Sequence, residues 1–288
     1  MFIRLASSNG QNNRQQKLVD DLFDNQAMYW SDTYKKKDIF GIIYQRRQAT
    51  ALNYIDELLL PKTARVLEIG CGAGFMTAAL AKRGFVIEAI DHTQAMVDLT
   101  KEHARQKGIL NLISVCTGDI HELSYEDQTF DLIIALGVVP WLYDVKKALT
   151  EIIRVIKPGG HVVLTMDNAL RTTILFDPKT TPPVALIRLI LKRRLERVGL
   201  LSSSNRWANA PPYRQHSPKE FNKSLCEAGL TILKSASVGF GPFTFLGHNV
   251  FSESIGMKIN DRLQMYADNR YPILRSTGSQ YIILAEKK

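Results

Sequence analysis

The stretch Val66–Phe75, VLEIGCGAGF, decides the fold of this chain. Apolar residues and one acid lead into three glycines, Gly70, Gly72 and Gly74, and a helical pattern follows. This order predicts a buried parallel strand, a tight turn and the start of a helix. Gly70 permits the sharp turn, Gly72 permits a ligand to approach the backbone, and Gly74 permits the helix to pack closely on the strand. A ligand is therefore expected at the carboxyl end of this first strand.

The glycine spacing differs from the one that dinucleotides require. A dinucleotide fingerprint, G-x-G-x-x-G, needs glycine at position 75, where this chain has phenylalanine. The segment resembles the first motif of the class I S-adenosylmethionine-dependent methyltransferases, E-x-G-x-G-x-G, and in particular their type 11 domain. The residues that the resemblance assigns to cofactor binding here are Glu68, Gly70, Cys71, Gly72 and Gly74. A tight turn without a cofactor is the alternative.

An acid follows the predicted second strand, Phe85–Ile90, at Asp91. A carboxylate at this place can accept hydrogen bonds from both hydroxyls of a ribose. The alternative role is to cap the next helix, for which Thr93 is better placed. His92, beside the acid, is expected to line the cofactor pocket.

The predicted third strand, Leu112–Cys116, leads to Asp119 and Ile120. The resemblance implies that the acid accepts a hydrogen bond from the adenine amino group and that the apolar residue packs on the adenine ring. An Asp that only forms a turn after the strand is the alternative.

The predicted fourth strand, Leu132–Leu136, ends where the resemblance places the amino group of the cofactor, so Leu136 is expected to contact it. Trp141 and Tyr143, in the following loop, are expected to face the substrate unless they are core residues. The K-P-G-G turn at residues 157–160, before the predicted fifth strand, is a further match to the family.

The alternation of strands and helices predicts an α/β fold with a parallel sheet and right-handed crossovers. The resemblance implies a Rossmann-like sheet of seven strands with helices on both faces, in which the last strand is antiparallel and lies between strands five and six. Residues 61–288 are expected to form the methyltransferase domain. Insertions that act as lids are expected after strands five and six, at 168–216 and 239–278.

Residues 1–60 are expected to form an N-terminal helical arm and cofactor lid. The first sixteen residues are polar and have no period, which favours a mobile arm, and an aromatic helical pattern follows. Tyr29 and Trp30 are the residues expected to contact the cofactor. Packing of Trp30 on the edge of the sheet is the alternative.

The composition permits a full hydrophobic core, because 45% of the 288 residues are apolar. The net charge of +9 allows an anionic partner, but no basic motif interleaved with aromatic residues indicates nucleic acid. The three cysteines are far apart and are expected to be buried, reduced thiols. Without a disulfide framework or a signal peptide, the sequence favours the cytoplasm.

Methyl transfer from a sulfonium by in-line displacement needs mainly alignment, and an oxygen or nitrogen acceptor also needs a base. His216 and His248 are the candidate bases, since both fall in loops of the insertions; solvent exposure is the alternative. No pair of His or Cys residues has metal spacing, so no metal is expected. Aromatic residues in the insertions favour a small-molecule or lipid-like acceptor.

The segment Val184–Val198, VALIRLILKRRLERV, predicts a basic amphipathic helix. Such a helix can lie at an anionic membrane surface or at the entrance for an amphiphilic substrate. Packing of its apolar stripe on the domain, with a solvated basic face, is the alternative. The sequence does not indicate an oligomeric state.

The predicted function is therefore that of an S-adenosylmethionine-dependent methyltransferase with a small-molecule or lipid-like acceptor. Two alternatives remain open. One is a non-catalytic, regulatory protein that binds S-adenosylmethionine. The other is a dinucleotide-dependent oxidoreductase, which Phe75 and the Asp119-Ile120 pair disfavour.

Overall fold

The computed structural model describes residues 2–173, 177–178, 181, 184, 194, 211, 213–246 and 248–288. Apart from Val184 and Arg194, the predicted amphipathic helix at 184–198 lies outside the described residues.

Seven strands form one sheet, in the order β3-β2-β1-β4-β5-β7-β6. The strands are β1 (Arg65–Ile69), β2 (Val86–Asp91), β3 (Ile113–Thr117), β4 (Phe130–Ala135), β5 (Ile156–Asp167), β6 (Leu230–Val238) and β7 (Gln280–Lys287). The four neighbouring pairs among β1–β5 are parallel, and β7 pairs antiparallel with both β5 and β6. The mostly parallel sheet of seven strands predicted from the sequence is thus confirmed.

Eight helices accompany the sheet in the described part of the chain. Three precede it, namely α1 (Phe2–Asn25), α2 (Ala27–Thr33) and α3 (Ile39–Glu57). The other five are α4 (Phe75–Ala81), α5 (Gln94–Gln106), α6 (Val145–Val155), α7 (Pro218–Glu227) and α8 (Glu253–Asp268). The polar first residues, for which the sequence favoured a mobile arm, are helical from Phe2.

Apolar side chains cover both faces of the sheet because successive residues of a strand point to opposite sides. On one side, Leu67 and Ile133 belong to a core that also contains Phe221 of α7. On the other side, Ile134 belongs to a core that contains Ile55 of α3. Strands buried on both faces read as near-continuous apolar runs, which is why the sequence located them well.

Two details differ from the sequence-based expectations, and one adds to them. The K-P-G-G segment lies inside β5, with Gly159 at a φ of 72°, and does not precede the strand. Within the insertion expected at 239–278, Thr244–Phe245 forms a two-stranded hairpin with His248–Asn249. Of the three cysteines only Cys71 is buried, since Cys116 and Cys226 are exposed. None of the helices described above is both long and apolar enough to cross a bilayer.

Candidate functional site

A cavity of about 330 Å³ opens at the carboxyl ends of β1, β2 and β4. The strand order reverses between β1 and β4, which is the position where open α/β sheets bind ligands. The first three helices and the loop between α2 and α3 supply the opposite wall through Phe23, Trp30, Tyr34, Tyr44 and Arg47, which we call the N-terminal cover. The cavity is therefore enclosed between the sheet and the segment that the sequence predicted as a lid.

The glycine turn after β1 forms the floor of this cavity. Gly70, Gly72 and Gly74 have φ values of 70°, 55° and 77°, in the left-handed region that favours glycine. A Cβ on Gly72 would meet no protein atom within 4 Å, so the backbone there faces open space. A Cβ on Gly74 would lie 3.1 Å from the Cα of Thr100 in α5. Gly74 thus serves close packing of α4 and α5 and does not line the cavity.

Asp91 joins the end of β2 to the glycine turn. Its Oδ2 accepts a hydrogen bond from the backbone N–H of Gly72 at 2.9 Å, and its Oδ1 accepts one from the N–H of Thr93 at 3.1 Å. Burial raises the pKa of this carboxyl above its usual value. Oδ1 also accepts a longer hydrogen bond, of 3.3 Å, from the Thr93 hydroxyl. Oδ2 has one acceptor site that no described residue uses, because each carboxylate oxygen can accept two hydrogen bonds. Thr93 occupies the N-cap position of α5, but its side chain makes no capping hydrogen bond.

Glu68 and Cys71 are buried beneath the turn. Glu68 is 4% exposed and accepts a hydrogen bond from the Thr77 hydroxyl at 2.5 Å. Burial raises its pKa to about 8, so the carboxyl is mainly protonated at neutral pH. Burial also raises the pKa of the Cys71 thiol. The floor of the cavity is consequently less negative than its residue types suggest.

A second carboxylate lies at the end of β3. Oδ1 of Asp119 accepts a hydrogen bond from the backbone N–H of His121 at 2.8 Å, and the Nδ1 of the same His lies 2.8 Å away. Burial raises the pKa of Asp119, but the contacts with His121 outweigh it and hold the pKa below its usual value. Ile120 is buried beside it. The other carboxylate oxygen accepts no hydrogen bond from the residues that the structure describes, so it can accept one from a ligand.

His92 connects this region to the N-terminal helix. Its Nδ1 lies 2.8 Å from Oδ1 of Asp20 in α1. The hydrogen bond to Asp20 raises the pKa of His92. Because both side chains line the cavity, this pair holds α1 over the carboxyl end of β2.

Arg47, in α3, is a buried cation in the N-terminal cover. It is 4% exposed, and no carboxylate lies within ion-pair distance of it in the described part of the chain. Its guanidinium donates to the Tyr34 hydroxyl and lies 4.7 Å from the centre of the Tyr44 ring. A Cβ on Gly137, just after β4, would lie 2.7 Å from Nη1. Its Nε is buried without a hydrogen-bond partner among the described residues, as is the Nε1 of Trp30.

A third carboxylate, Asp167, lies at the end of β5. It accepts hydrogen bonds from the Tyr213 hydroxyl and, at 3.3 Å, from Nε2 of Gln280. Next to it, Trp141 packs against Tyr213 with ring centres 5.3 Å apart and against Phe23 with ring centres 5.2 Å apart. All five residues line the cavity, which therefore has one end that combines aromatic rings with a carboxylate.

Most of the site residues predicted from the sequence lie in this one cavity. Those that line it are Trp30, Glu68, Gly70, Cys71, Gly72, Asp91, His92, Asp119, Ile120, Leu136 and Trp141. Gly74, as described above, and four other predicted residues do not line it.

The remaining four are placed elsewhere. Tyr29 is 52% exposed and packs under Lys36, with Nζ 4.8 Å from the ring centre. Tyr143 stacks on His121, with ring centres 3.7 Å apart. His216 packs on Phe221, and His248 is an exposed residue of the hairpin. The structure thus offers no support for either histidine as a base in this cavity.

Sequence reasoning missed the residues that reach the cavity from distant segments. These include Asp20, Phe23, Tyr44, Arg47, Asp167 and Gln280. The aromatic pattern of residues 18–54 hinted at Phe23 and Tyr44. Tyr213 belongs to the aromatic residues of the insertions that were expected to enclose the acceptor. Among the residues that the structure describes, no three His, Cys, Asp or Glu side chains are grouped as a metal site requires.

The comparisons with known proteins agree with this geometry. Residues 67–164 match the family model described as "Methyltransferase domain". A ubiquinone biosynthesis O-methyltransferase of Coxiella burnetii (strain Dugway 5J108-111) is 30% identical over 140 residues, which are 49% of this chain and 57% of that protein. The chain thus spans little more than half the length of this relative. A protein of the same name from Rhizobium etli (strain CIAT 652) is 25% identical over 84% of this chain and 91% of its own length.

A third relative is a ubiquinone/menaquinone biosynthesis C-methyltransferase, UbiE, of Idiomarina loihiensis, which is 33% identical over 53% of this chain and 60% of that protein. Among solved structures, magnesium protoporphyrin IX methyltransferase from Synechocystis with bound SAH (S-adenosylhomocysteine) aligns with a TM-score of 0.62 at 16% identity, over 95% of this chain and all of that one. The [4+2]-cyclase SpnF aligns with a TM-score of 0.60 at 18% identity, over 93% and 94%.

Residues 67–164 thus match a methyltransferase domain, and the similar structures share the Rossmann-like fold that the sequence predicted. At such low identity the structural likeness concerns the fold alone. Because one of the similar structures is called a cyclase, the fold by itself does not determine the reaction.

Proposed function

We propose that this chain, whose residues 67–164 match a methyltransferase domain, transfers a methyl group from S-adenosylmethionine to a small-molecule or lipid-like acceptor by in-line displacement. One observation carries the proposal. The open backbone at Gly72 and the carboxylates of Asp91 and Asp119 line a single cavity at the switch point of the sheet. These are the groups that a nucleoside without phosphates needs.

The residues of the cavity fit S-adenosylmethionine. Oδ2 of Asp91 has an acceptor site for one ribose hydroxyl, and a second hydroxyl would replace the 3.3 Å bond from the Thr93 hydroxyl at Oδ1. Oδ2 of Asp119, which accepts no hydrogen bond from the described residues, can accept from an adenine amino group, with Ile120 against the ring. Phe75 occupies the position where a dinucleotide fingerprint has glycine, and its ring stacks on Tyr34 with centres 4.9 Å apart. A bulky ring at this place argues against a pyrophosphate cradle and hence against an oxidoreductase.

Arg47 would hold the carboxylate of the amino-acid part of the cofactor. A buried guanidinium without a carboxylate partner is costly, unless a ligand supplies the missing charge. Its unpartnered Nε and its place beside Gly137, at the end of β4, put a charged donor next to the expected position of the cofactor's amino group, and the carboxylate is attached to the same carbon as that amino group. Two parallel hydrogen bonds to a carboxylate are the geometry that arginine favours.

The bound cofactor supplies an activated methyl group on a positively charged sulfur. The chain must then align the acceptor with that group and keep water out. The N-terminal cover closes the cavity, and Trp141 with Phe23 forms an apolar wall beside it. Proximity and orientation of this kind can lower the barrier by about 7–11 kcal/mol.

The acceptor is proposed to be a small apolar molecule. The aromatic wall supports this, and so do the names of the relatives, which act in ubiquinone or ubiquinone/menaquinone biosynthesis as O- or C-methyltransferases. The basic, apolar composition of residues 184–198 supports contact with a membrane surface from which a lipid-like acceptor could enter. A cytoplasmic location stays a prediction from the sequence.

Two measurements test the proposal. Titration calorimetry with SAH is expected to give one site per chain, whereas NAD gives no comparable heat. Labelled methyl from S-adenosylmethionine is expected to enter the small-molecule or lipid fraction of a cell extract. Binding without any transfer would favour the regulatory alternative, and tighter binding of NAD would contradict the assignment. Transfer only into protein or RNA would refute the proposed acceptor class.

A further inference from the structure

The end of β5 carries a carboxylate that the binding of the cofactor does not require. Asp167 is paired in the sheet with Gln280 of β7, and its two oxygens accept hydrogen bonds from Tyr213 and Gln280. No Lys, Arg or His of the described residues lies within ion-pair distance of it. The carboxylate is thus oriented by two neutral donors and is not neutralised by a cation.

Gln280 adds an independent observation. It is 7% exposed and lines the cavity, and its Oε1 is buried without a hydrogen-bond partner among the described residues. A buried polar atom that lacks a partner is costly, unless a ligand donates a hydrogen bond to it. A hydrogen-bond donor of the ligand is therefore expected next to Asp167.

The rings around the carboxylate indicate what that ligand looks like. Trp141 contacts both Tyr213 and Phe23, and the three rings line the cavity beside Asp167. Such walls bind flat apolar molecules well, because aromatic rings pack favourably against one another with their centres about 4.5–7 Å apart. A carboxylate beside aromatic walls suits a flat ring that bears hydroxyl groups.

We propose that Asp167 is the catalytic base for methyl transfer to a hydroxyl group of an aromatic ring, and that Tyr213 and Gln280 are positioning residues for it. This inference rests on the proposed function and deepens it by specifying an oxygen acceptor. It also replaces His216 and His248, which lie outside the cavity, as the candidate base.

The bonds balance as follows. The O–H bond of the acceptor breaks, and its proton passes to the carboxylate of Asp167. The oxygen uses a lone pair to bond to the methyl carbon, while the electron pair of the carbon–sulfur bond stays on the sulfur. The products are an aryl methyl ether, SAH and a proton, which Asp167 later returns to water.

The test is Asp167→Asn, which keeps the size of the side chain and an acceptor oxygen for Tyr213 but cannot take a proton. SAH is expected to bind it within about twofold of wild type. Turnover of 3,4-dihydroxybenzoate should fall by about 10²–10⁴-fold, the range for loss of a general base. Turnover of 4-nitrocatechol should fall much less, because its nitro group makes the hydroxyl acidic enough to ionise unaided. Tyr213→Phe should lower kcat with KM unchanged.

Asp98→Asn, at an exposed carboxylate of α5, is the matched control and should behave as wild type. Equal losses on both catechols, or no loss on either, would overturn the role of Asp167. Weaker SAH binding by Asp167→Asn would do so too, since the carboxylate would then serve the cofactor. If the wild-type protein methylates neither catechol but labels an extract, the labelled product is identified. A methyl group bound to carbon or nitrogen in that product also overturns the role of Asp167. Absence of all transfer by wild type refutes the proposed function itself.

Discussion

Replacement of Arg47 by methionine should weaken binding of the cofactor while leaving the stability of the ligand-free chain nearly unchanged. The guanidinium is buried and lacks a carboxylate partner among the described residues. It keeps one hydrogen bond, to Tyr34, and a contact with the Tyr44 ring. Methionine can fill a comparable apolar space without a charge. The substitution therefore removes a group that we expect the ligand, and not the protein, to neutralise.

The expected magnitudes follow from these contacts. A hydrogen bond to a charged group contributes about 1.5–3 kcal/mol and a desolvated cation–π contact about 2 kcal/mol. Burial of the charge costs several kcal/mol, so the two nearly cancel. We expect the ligand-free variant to unfold within about 1 kcal/mol of wild type, less than about 4 °C in Tm. Binding of SAH should lose about 1.5–3 kcal/mol, or about 10- to 150-fold in Kd.

Thermal unfolding without ligand and calorimetry with SAH, on the same preparations, measure the two quantities. Arg46→Met is the control, because Arg46 pairs with Asp268 at the surface and does not line the cavity. It should leave SAH binding unchanged. The reasoning is refuted if Arg47→Met binds SAH normally, or if it destabilises the ligand-free chain by more than about 2 kcal/mol.

Three further predictions concern the floor and cover of the cavity. Gly72→Val and Gly108→Val should each lose about 1–2 kcal/mol of stability, because both glycines have a positive φ and open space for a side chain. Calorimetry should show a loss of SAH binding for Gly72→Val only. Equal binding of SAH by both variants would make the turn purely structural. Asp91→Asn should weaken SAH binding by about 1.5–3 kcal/mol, and an unchanged Kd would contradict the ribose contact. The His92 contact with Asp20 should be strongest below about pH 6.5 and fade as pH rises through the raised pKa of His92, because only the protonated ring pairs with the carboxylate. Protease cleavage within α1 should then increase with pH in wild type. The same pH dependence in an Asp20→Asn variant would exclude the contact between His92 and Asp20 as its cause.

The sequence predicted the half of the site that lies on consecutive strand ends. Asp91 ends β2 and Asp119 follows β3, and parallel strands bring their carboxyl ends to one edge. The strands were recognisable because their apolar runs are local features of the chain. For the same reason the glycine turn could be interpreted from ten residues.

The acceptor half could not be predicted in that way. Asp167 hydrogen-bonds to Tyr213, 46 positions away, and to Gln280, 113 positions away. The sequence placed Tyr213 only in an aromatic set of the insertions, and Asp167 and Gln280 look like ordinary polar residues in their own segments. The histidines looked better as bases because histidine is the usual choice, but no local pattern indicates which loop residues face a cavity. Burial and the antiparallel insertion of β7 beside β5 decide that.

Sequence alone therefore determined the glycine turn, the positions of β1–β5 along the chain and the place of Asp91 and Asp119 at strand ends, since these depend on periodicity and on backbone constraints within short segments. The tertiary structure decided the burial of Arg47 away from every described carboxylate, the contact of His92 with α1 and the carboxylate beside the aromatic wall. Each of these depends on which distant side chains exclude water together, and this is a property of the packed chain and not of any one segment.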